Sequence, residues 1–235
     1  MVEISCRAVV MDIEGTTSAA RHVYDVLFPY ARSHMRAWLL DHQAQPATAA
    51  AIDAVASLLG VDRVDLDAVA TGLEEWIDAD VKAAPLKTLQ GLIWEQGYAR
   101  GELTSHIFDD VPPALRSWRA AGLLLAVYSS GSVTAQRALF ANADQGDLNS
   151  LIDANFDITT AGPKGEALSY EHIAELLEIL ARDLLFLSDV QAELDAASEA
   201  GWQTVGILRA GESQATVSQE SNVSTFGDLV IQVVC

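Results

Sequence analysis

The sequence predicts an α/β fold with a parallel sheet at its core and an inserted helical unit. Short apolar runs typical of buried strands alternate with helical patterns along most of the chain, an order that favours a parallel sheet. These runs lie at 8–11, 123–128, 184–187 and 205–208. Residues from about 20 to 105 interrupt the alternation, because they hold long alanine- and leucine-rich stretches and no convincing strand. We therefore assign 1–20 and 105–235 to an α/β core and 21–104 to a helical insert.

The helical insert is divided by proline and glycine. Helical spacing of its apolar residues predicts helices at 24–41, 47–59, 66–79 and 85–100. Pro46, Gly60 and Pro85 lie at the breaks, where residues that start or end helices are expected. The alanine-rich tract at 47–56 favours a helix over a disordered segment, because alanine has the highest helix propensity.

The second half of the core carries two clear helical patterns. Apolar positions 173, 176, 177 and 180 recur at helical spacing, so we expect a helix from Ser169, its N-cap, to Arg182. Another helix is expected from Gln191 to Ala200, with Gly201 as the residue that ends it. An irregular strand is expected near 157–160, and 229–234 fits either an edge strand or a short helix.

The composition excludes several classes of protein. The chain has 235 residues, 50% of them hydrophobic, which is enough for a substantial core. Its formal net charge of −19 argues against nucleic-acid binding, which requires clustered lysine and arginine. No apolar stretch approaches the roughly 20 residues of a membrane span, so we expect a cytoplasmic protein that binds no membrane.

Cys6 and Cys235 form neither a disulfide framework nor a spaced metal-ligand set, and Cys6 is expected in the core.

The first predicted strand ends in acidic residues. Residues 8–18, AVVMDIEGTTS, pass from an apolar run into Asp12 and Glu14, followed by Gly15 and Thr16. A carboxylate at the carboxyl end of a parallel strand faces the crevice in which α/β proteins bind ligands. Gly15 permits a tight turn that brings Asp12 and Glu14 close together. Two nearby carboxylates repel each other unless a cation lies between them, and Mg²⁺ prefers such oxygen ligands. Asp12 is our candidate nucleophile; a helix-capping aspartate beside a solvated glutamate is the alternative.

The next predicted strand ends in hydroxyl groups. The run LLLAVY is followed by Ser129, Ser130, Gly131 and Ser132, which lead into a helix expected near Val133. Backbone N–H groups at a helix N-terminus form an anion site together with serine hydroxyls, so Ser129 and Ser130 are candidates for phosphate binding. Capping of the helix by Ser132 in an ordinary turn is the alternative.

A lysine and a second aspartate complete the set. Lys164 lies in the loop AGPKGEA, and an anionic substrate of this acidic protein needs a local cation. The run LLFL leads to Asp189, which repeats the arrangement at Asp12. Asp12, Glu14 and Asp189 could then bind one Mg²⁺. Glu193 follows one helical turn later, either as a supporting acid or as a complement to the helix dipole.

Together these segments resemble the four motifs of the haloacid dehalogenase superfamily of phosphotransferases. The segments are DIEGT, YSSGS, the GPKG lysine and LSDVQAELDAASEAGW. Within that superfamily, DIEGTT and residues 128–148 and 86–103 are similar to the enolase-phosphatase family, in which Glu replaces the second Asp of most such phosphatases. Ser188 departs from the threonine that often precedes the last aspartate, but it keeps the hydroxyl. The resemblance spans nearly the whole chain and is weakest at about 42–80 and in the last 25 residues.

The resemblance implies a Rossmann-like core of the haloacid dehalogenase type with a helical cap, and a two-step reaction. The substrate would be 2,3-diketo-5-methylthiopentyl-1-phosphate of methionine salvage, which is enolised and then dephosphorylated to the acireductone. Asp12 would form an aspartyl phosphate, while Ser129, Ser130 and Lys164 hold the phosphate. The substitution of Glu for Asp, which lengthens the side chain by one methylene, motivates the hypothesis that Glu14 is the base of enolisation. One Mg²⁺ per subunit, held by the three carboxylates, would neutralise the charge that develops.

Other interpretations stay open. The chain could be another small-molecule phosphate monoester phosphatase of the same superfamily, or a catalytically silent phosphate-binding protein. Trp94 and Tyr98 could line the substrate, although aromatic residues at helical spacing are more often part of a core. The five histidines show no metal-ligand spacing and are expected to be structural or exposed. The expected partner is a small phosphorylated molecule, and we expect a monomer.

Overall fold

The computed structural model describes residues 1–212, 217–218 and 222–234. The chain forms two compact units, Met1–His22 with Ser105–Cys235 and Val23–Thr104, which we call the core unit and the helical unit. The sequence places the first boundary after residue 20 and the structure places it after His22, whereas the second boundary, after Thr104, is the same. Cys6 is a buried free cysteine, and Cys235 lies outside the described residues.

A parallel sheet forms the centre of the core unit. The strands are β1 (Val2–Cys6), β2 (Ala8–Met11), β3 (Leu124–Tyr128), β4 (Ala154–Phe156), β5 (Leu184–Ser188), β6 (Gln203–Ile207), β7 (Asn222–Val223) and β8 (Leu229–Val233). Six of them pair in the order β4-β3-β2-β5-β6-β7, with every pairing parallel. β1 and β8 form a separate parallel pair. The parallel α/β core expected from the sequence is therefore confirmed.

Helices make up most of the remaining structure. They are α1 (Ala20–His22), α2 (Phe28–His42), α3 (Pro46–Leu59), α4 (Leu66–Asp78), α5 (Ala84–Ala99), α6 (Val111–Ala121), α7 (Val133–Ala141), α8 (Ala167–Leu177) and α9 (Gln191–Glu199). A π-helical segment (Val23–Leu27) precedes α2, and short 3-10 helices lie at Asn149–Leu151, Ala181–Asp183 and Phe226–Asp228. None of the described helices is long and apolar enough to span a membrane.

The central strand β2 is buried on both faces. Val9 and Met11 join one apolar cluster, which α6 and α7 cover, while Ala8 and Val10 join a second cluster, which α8 and α9 cover. Burial on both faces explains why this strand is continuously apolar and does not alternate with polar residues. Met11 pairs with both β3 and β5 within one residue of their ends. The residues that follow these three strands therefore emerge at one edge of the sheet.

The helical unit holds the four helices expected from the sequence, with ends shifted by up to four residues. α3 begins one residue earlier than expected because Pro46 is its first residue, where its missing N–H costs nothing. The same helix ends at Gly60, which adopts a left-handed conformation with φ +69°. Asp65 caps α4 by accepting a hydrogen bond from the N–H of Ala68 at 3.0 Å.

The helix expected at 169–182 is shorter and starts earlier. α8 has Glu166 at its N-cap position, so the prediction of Ser169 as the N-cap is wrong. Ser169 lies inside the helix, where its hydroxyl donates to the carbonyl oxygen of Pro163 at 2.7 Å. Glu178 takes a left-handed conformation with φ 55° and ends the helix. Leu180, expected in the apolar stripe, lies beyond this end and is 58% exposed.

Two short strands also differ from expectation. The irregular strand expected near 157–160 is a turn, and β4 lies just before it. Asp157 shapes this turn, because its Oδ1 accepts the N–H groups of Thr159 and Thr160, each at 2.9 Å. The segment 229–234, left open between helix and strand, forms β8 and pairs with β1.

Candidate active site

Four neighbouring strands deliver polar side chains to one edge of the sheet. Asp12 follows β2, Ser129 follows β3, Asp157 follows β4 and Asp189 follows β5. All four residues are buried, with exposed fractions of 6% or less. Because the strands are parallel neighbours, these residues lie at their carboxyl ends, where open α/β sheets bind ligands. The core unit therefore has a candidate site at this edge.

Gly15 shapes the turn after β2 and brings Asp189 against it. Gly15 has φ +75°, and its N–H donates to the carbonyl oxygen of Ser18 at 2.8 Å. A Cβ atom at this position would lie 2.0 Å from Oδ2 of Asp189. The hydroxyl of Thr17 donates to the carbonyl oxygen of Asp12 at 3.0 Å. Both the backbone conformation and the close approach of Asp189 therefore require glycine here.

Lys164 joins a carboxylate that follows β2 to one in the first turn of α9. Its Nζ lies 2.5 Å from Oδ1 of Asp12 and 2.6 Å from Oε2 of Glu193. The hydroxyl of Ser188 donates to the same Glu193 oxygen at 2.9 Å. Lys164 is buried, with an exposed fraction of 9%. Glu193, whose role the sequence left open between a supporting acid and a complement to the helix dipole, thus pairs directly with the candidate phosphate-binding lysine.

Aromatic residues hold the lysine loop in place. The hydroxyl of Tyr170 donates to the carbonyl oxygen of Lys164 at 2.8 Å, and that of Tyr128 donates to the carbonyl oxygen of Gly162 at 2.8 Å. The Lys164 ammonium lies 5.8 Å from the ring centroid of Tyr128 and 5.9 Å from that of Phe186. Ring faces attract a cation at this range. The loop is therefore anchored at its backbone while its ammonium points to the carboxylates.

The serine turn after β3 lies next to Glu14. The hydroxyl of Ser129 donates to Oε2 of Glu14 at 3.2 Å and accepts the N–H of Gly131 at 3.1 Å. Ser130 is half-buried in the same turn. Ser132 caps α7 by accepting the N–H of Ala135 at 3.3 Å, so the capping role considered from the sequence is confirmed. The phosphate-binding role of Ser129 and Ser130 stays a prediction.

The site carries more negative than positive charge. Burial raises the pKa of Asp12 well above its ordinary value. Lys164 opposes this rise, and the charges of Glu193 and Glu14 add to it. Burial acts to lower the pKa of Lys164, but Asp12 and Glu193 outweigh burial and keep that pKa raised. One buried lysine therefore faces several carboxylates, and a further cation would favour the ionised form of Asp12.

Asp189 has one carboxylate oxygen without a hydrogen-bond partner among the described residues, although its own backbone and Lys164 act to lower its pKa. Burial raises the pKa of Asp189 to about 6, and the charges of Glu193 and Glu14 contribute to the rise. Its Oδ1 is buried and accepts no hydrogen bond from any residue that the structure describes. A buried carboxylate oxygen without a donor is costly unless a cation or a hydrogen-bond donor compensates it. This oxygen therefore fits a cation ligand.

The three predicted metal ligands do not form a preformed metal-binding site. Within the described ranges, no group of three His, Cys, Asp or Glu side chains could hold a metal ion. Oδ1 of Asp12 faces Lys164, and Oε2 of Glu14 accepts the Ser129 hydroxyl. Mg²⁺ often uses only one or two carboxylates and keeps several waters. The residues present therefore fit a magnesium ion with fewer protein ligands than the predicted trio.

Three residues are not among the predicted catalytic, phosphate-binding and metal-binding residues. Trp94 and Tyr98 are buried in the helical unit, and the indole N–H of Trp94 donates to the carbonyl oxygen of Leu27 at 2.8 Å. The sequence missed Asp157, whose Oδ2 accepts the N–H of Val133 at the start of α7, at 3.1 Å. The strand that precedes Asp157 has only three residues. The apolar run before Asp157 is therefore too short to be recognised as a strand that ends in an acid.

The chain matches a known family of hydrolases. A profile of the haloacid dehalogenase-like hydrolases matches residues 6–201. A protein named Enolase-phosphatase E1 from Streptomyces avermitilis is 51% identical over 226 residues, which cover 95% of each chain. A protein of the same name from Saccharopolyspora erythraea is 50% identical over 236 residues, which cover 98% of each chain.

Solved structures share the fold. The crystal structure of the UTR4 protein from Saccharomyces cerevisiae matches with a TM-score of 0.78 and 30% identity, covering 95% of this chain and 100% of that chain. CbbY from Rhodobacter sphaeroides in complex with phosphate matches with a TM-score of 0.58 and 16% identity, covering 95% and 96%. The second likeness concerns the fold alone. The chain belongs to the haloacid dehalogenase-like hydrolases and, within them, to the enolase-phosphatase family of phosphatases.

Proposed function

We propose that this protein is a magnesium-dependent enolase-phosphatase of methionine salvage. Its substrate would be 2,3-diketo-5-methylthiopentyl-1-phosphate, and its products the acireductone and phosphate. The observation that carries the proposal is the buried pairing of Asp12 with Lys164 at the carboxyl edge of the sheet, beside Glu14. Similarity over nearly the full length to relatives named Enolase-phosphatase E1 supports the same activity.

Asp12 would carry out the phosphoryl transfer. A carboxylate oxygen of Asp12 attacks phosphorus, the ester oxygen leaves with its electron pair, and an aspartyl phosphate forms. Water then attacks that phosphorus and regenerates Asp12. Phosphate monoester hydrolysis is among the slowest uncatalysed reactions, so the nucleophile must also be ionised and aligned with the leaving oxygen. The rise in the pKa of Asp12 on burial means that ionisation needs compensating positive charge.

Three side chains would hold the phosphate oxygens. Lys164 supplies an ammonium that already contacts Asp12, and Ser129 and Ser130 supply hydroxyls after the neighbouring strand. Groups fixed before the substrate arrives stabilise the charge of the transition state without reorganisation. Glu193 keeps the Lys164 ammonium in place through the 2.6 Å contact. Asp12 and Asp189 are the residues that would hold one Mg²⁺ together with waters, and the ion would supply charge neutralisation at phosphorus and at a substrate carbonyl.

Glu14 would act as the base of enolisation. It removes the proton from the carbon next to the substrate carbonyl, the C–H electron pair forms the C=C bond while the carbonyl π pair moves onto oxygen, and a proton from water on that oxygen gives the enol. Glu14 is held by the Ser129 hydroxyl at 3.2 Å, so its carboxylate lies beside the proposed phosphate site. We expect Glu14→Asp to lower enolisation of a substrate analogue that cannot be hydrolysed. Full enolisation by that variant would remove Glu14 from this role.

Two other functions would use the same residues. A phosphatase for another small phosphate ester would release phosphate with no enol intermediate. A catalytically silent protein would bind a phosphate ester and turn over none. In each case the partner is a small phosphorylated molecule, and a cytoplasmic monomer without nucleic-acid or membrane partners stays our prediction.

The test follows the two chemical steps separately. Wild type and Asp12→Asn are mixed with the diketo phosphate and magnesium while enol absorbance and free phosphate are recorded. We expect wild type to form the enol before phosphate appears, and Asp12→Asn to release no phosphate. Asp53→Asn makes the same chemical change at an aspartate whose side chain is 56% exposed in the helical unit, and it should behave as wild type. Phosphate release by wild type without any enol would favour the other phosphatase.

A further inference from the structure

The segment after the candidate nucleophile is held by two distant parts of the chain. Residues 16–20 continue from the turn at Gly15. Nε of Arg209 donates to the carbonyl oxygen of Thr16 at 2.9 Å, across 193 residues of sequence. The N–H of Phe108 donates to the carbonyl oxygen of Thr17 at 3.0 Å. Two successive carbonyls of this segment are therefore fixed from outside it.

Arg209 itself is held through two of its three guanidinium nitrogens and by two aromatic rings. Its side chain is 3% exposed, and Nη1 donates to both carboxylate oxygens of Asp110 at 2.8 Å and to the carbonyl oxygen of Ser224 at 3.3 Å. The guanidinium lies 4.4 Å from the ring centroid of Phe108 and 4.9 Å from that of Phe226. Stacking on rings and charge-assisted hydrogen bonds suit the flat guanidinium, so its orientation is set precisely by the fold.

Stability alone does not explain this pair, in which Arg209 is buried and the Asp110 side chain is 24% exposed. A buried ion pair costs desolvation and is often no better for stability than apolar residues of similar size. Arg209 also lies outside residues 6–201, the part of the chain that matches the hydrolase family profile. Its guanidinium donates in two directions at once, to the Thr16 carbonyl and to Asp110. A lysine could keep the charge at this position, but it could not reproduce the planar fork.

We propose that Arg209 is a positioning residue that fixes the Asp12 nucleophile through the Thr16 carbonyl. The turn between them is short, since the N–H of Thr16 donates to the carbonyl oxygen of Ile13 at 3.1 Å and the Thr17 hydroxyl donates to that of Asp12. A displacement of Thr16 therefore moves the Asp12 backbone. This inference rests on the proposed role of Asp12 as nucleophile, but it does not depend on which phosphate ester is the substrate.

The proposal predicts a change in kcat and not in KM. Lys164 contacts Asp12, but Glu193 and the backbone anchors of its loop also hold it, and Ser129 and Ser130 follow another strand. We therefore expect the proposed phosphate ligands to move less than Asp12, so that the main loss is the alignment of the attacking oxygen. A misplacement of about 1 Å caused by a distant substitution can cost about 100-fold in rate.

The first experiment compares Arg209→Lys with wild type on an aryl phosphate ester with magnesium. We expect kcat to fall about 10- to 100-fold, with KM and the affinity for inorganic phosphate unchanged. Arg119→Lys is the matched control, because Arg119 pairs with Asp153 in the same unit and 43% of its side chain is exposed. This control should keep the wild-type kcat. Thermal unfolding of all three proteins gives the folded fraction to which kcat is referred.

A second experiment uses Arg209→Ala with added guanidinium at low millimolar concentration. Guanidinium should restore part of kcat, and the same concentration of sodium chloride should not. Should this variant fail to fold, Arg209→Lys decides the question alone. The proposal is overturned by a wild-type kcat per folded Arg209→Lys molecule, by a rise in KM with unchanged kcat, or by folded Arg209→Ala that guanidinium does not rescue. Wild type that cleaves the aryl ester but forms no enol from the diketo phosphate contradicts the proposed substrate and leaves this inference intact.

Discussion

The core unit and the helical unit handle charge in opposite ways. Among its described residues, the core unit buries the charged side chains of Asp12, Asp157, Lys164, Asp189 and Arg209. In the helical unit, whose residues are all described, the buried polar side chains are the uncharged Thr48 and Gln90. Its ion pairs lie at the surface, as in Arg63 with Asp53, where 56% of each side chain is exposed.

The difference indicates that the buried charges serve chemistry, since packing alone does not require them. Taking a charge out of water costs several kcal/mol, and an oppositely charged partner offsets this cost only when the ion pair has good geometry. A fold that depends on packing alone has no reason to bury charges, and the helical unit buries none among its described residues. The core unit keeps its buried charges at the carboxyl edge of the sheet, where phosphoryl transfer would use them. We therefore expect matched substitutions to have unequal effects in the two units.

The largest difference should come from two lysine substitutions. Lys164→Met leaves Asp12 and Glu193 without their shared cation, so the free energy of unfolding should fall by about 3–5 kcal/mol. kcat/KM should fall about 100- to 1,000-fold as well, because a preorganised charge is lost. Lys82→Met breaks a pair with Asp80 in which 57% and 41% of the side chains are exposed. It should cost less than about 1 kcal/mol. Equal losses in denaturant unfolding would contradict the comparison.

Two glycine substitutions should differ by less. Gly15 and Gly60 both have positive φ, so alanine at either position should cost about 1–2 kcal/mol in backbone strain. At Gly60 a Cβ meets nothing within 4 Å, whereas at Gly15 it would lie 2.0 Å from Oδ2 of Asp189. Gly15→Ala should therefore displace Asp189 and weaken magnesium binding, measured by calorimetry. Unchanged magnesium affinity in Gly15→Ala would show that the two residues are not coupled.

The smallest effect should be a difference in pH dependence. The pKa of Asp189 is about 6 in the folded protein against 3.8 for the free side chain, chiefly because of burial. Its protonated form is favoured by folding, so the stability it contributes is present below about pH 3.8 and lost as the pH rises through about 6. In metal-free enzyme, Asp189→Asn should remove this decline from the thermal unfolding profile. The same profile in both proteins would mean that Asp189 is not buried beside other carboxylates.

Local sequence patterns predicted the main strands and helices but not every boundary. β2 and β5 were found because continuous apolar runs end in an acid, a pattern that a buried parallel strand imposes. β1 was missed because its residues alternate between partly buried and exposed positions, and β4 because it has only three residues. Ser169 was misplaced as an N-cap because its hydroxyl bonds Pro163 and not the helix backbone.

The site was predicted in part, for a related reason. Asp12, Ser129 and Asp189 follow predicted strands, and a parallel sheet places such residues at one edge. The contacts of Lys164 with Asp12 and Glu193 join residues 152 and 29 positions apart, and no local pattern encodes them. The Arg209 contact with Thr16 is equally remote. Periodicity therefore predicts which side chains reach the edge, but pairing among them depends on the assembled fold.

The most direct test of the account is a search for phosphate bound covalently to Asp12. Wild type is mixed with a radiolabelled phosphate ester and magnesium, quenched in acid within the first turnover, and digested for peptide mapping. The account predicts that the label lies on the peptide that contains Asp12, that hydroxylamine removes it, and that Asp12→Asn shows none. Phosphate release by wild type at full rate with no label on that peptide would contradict it.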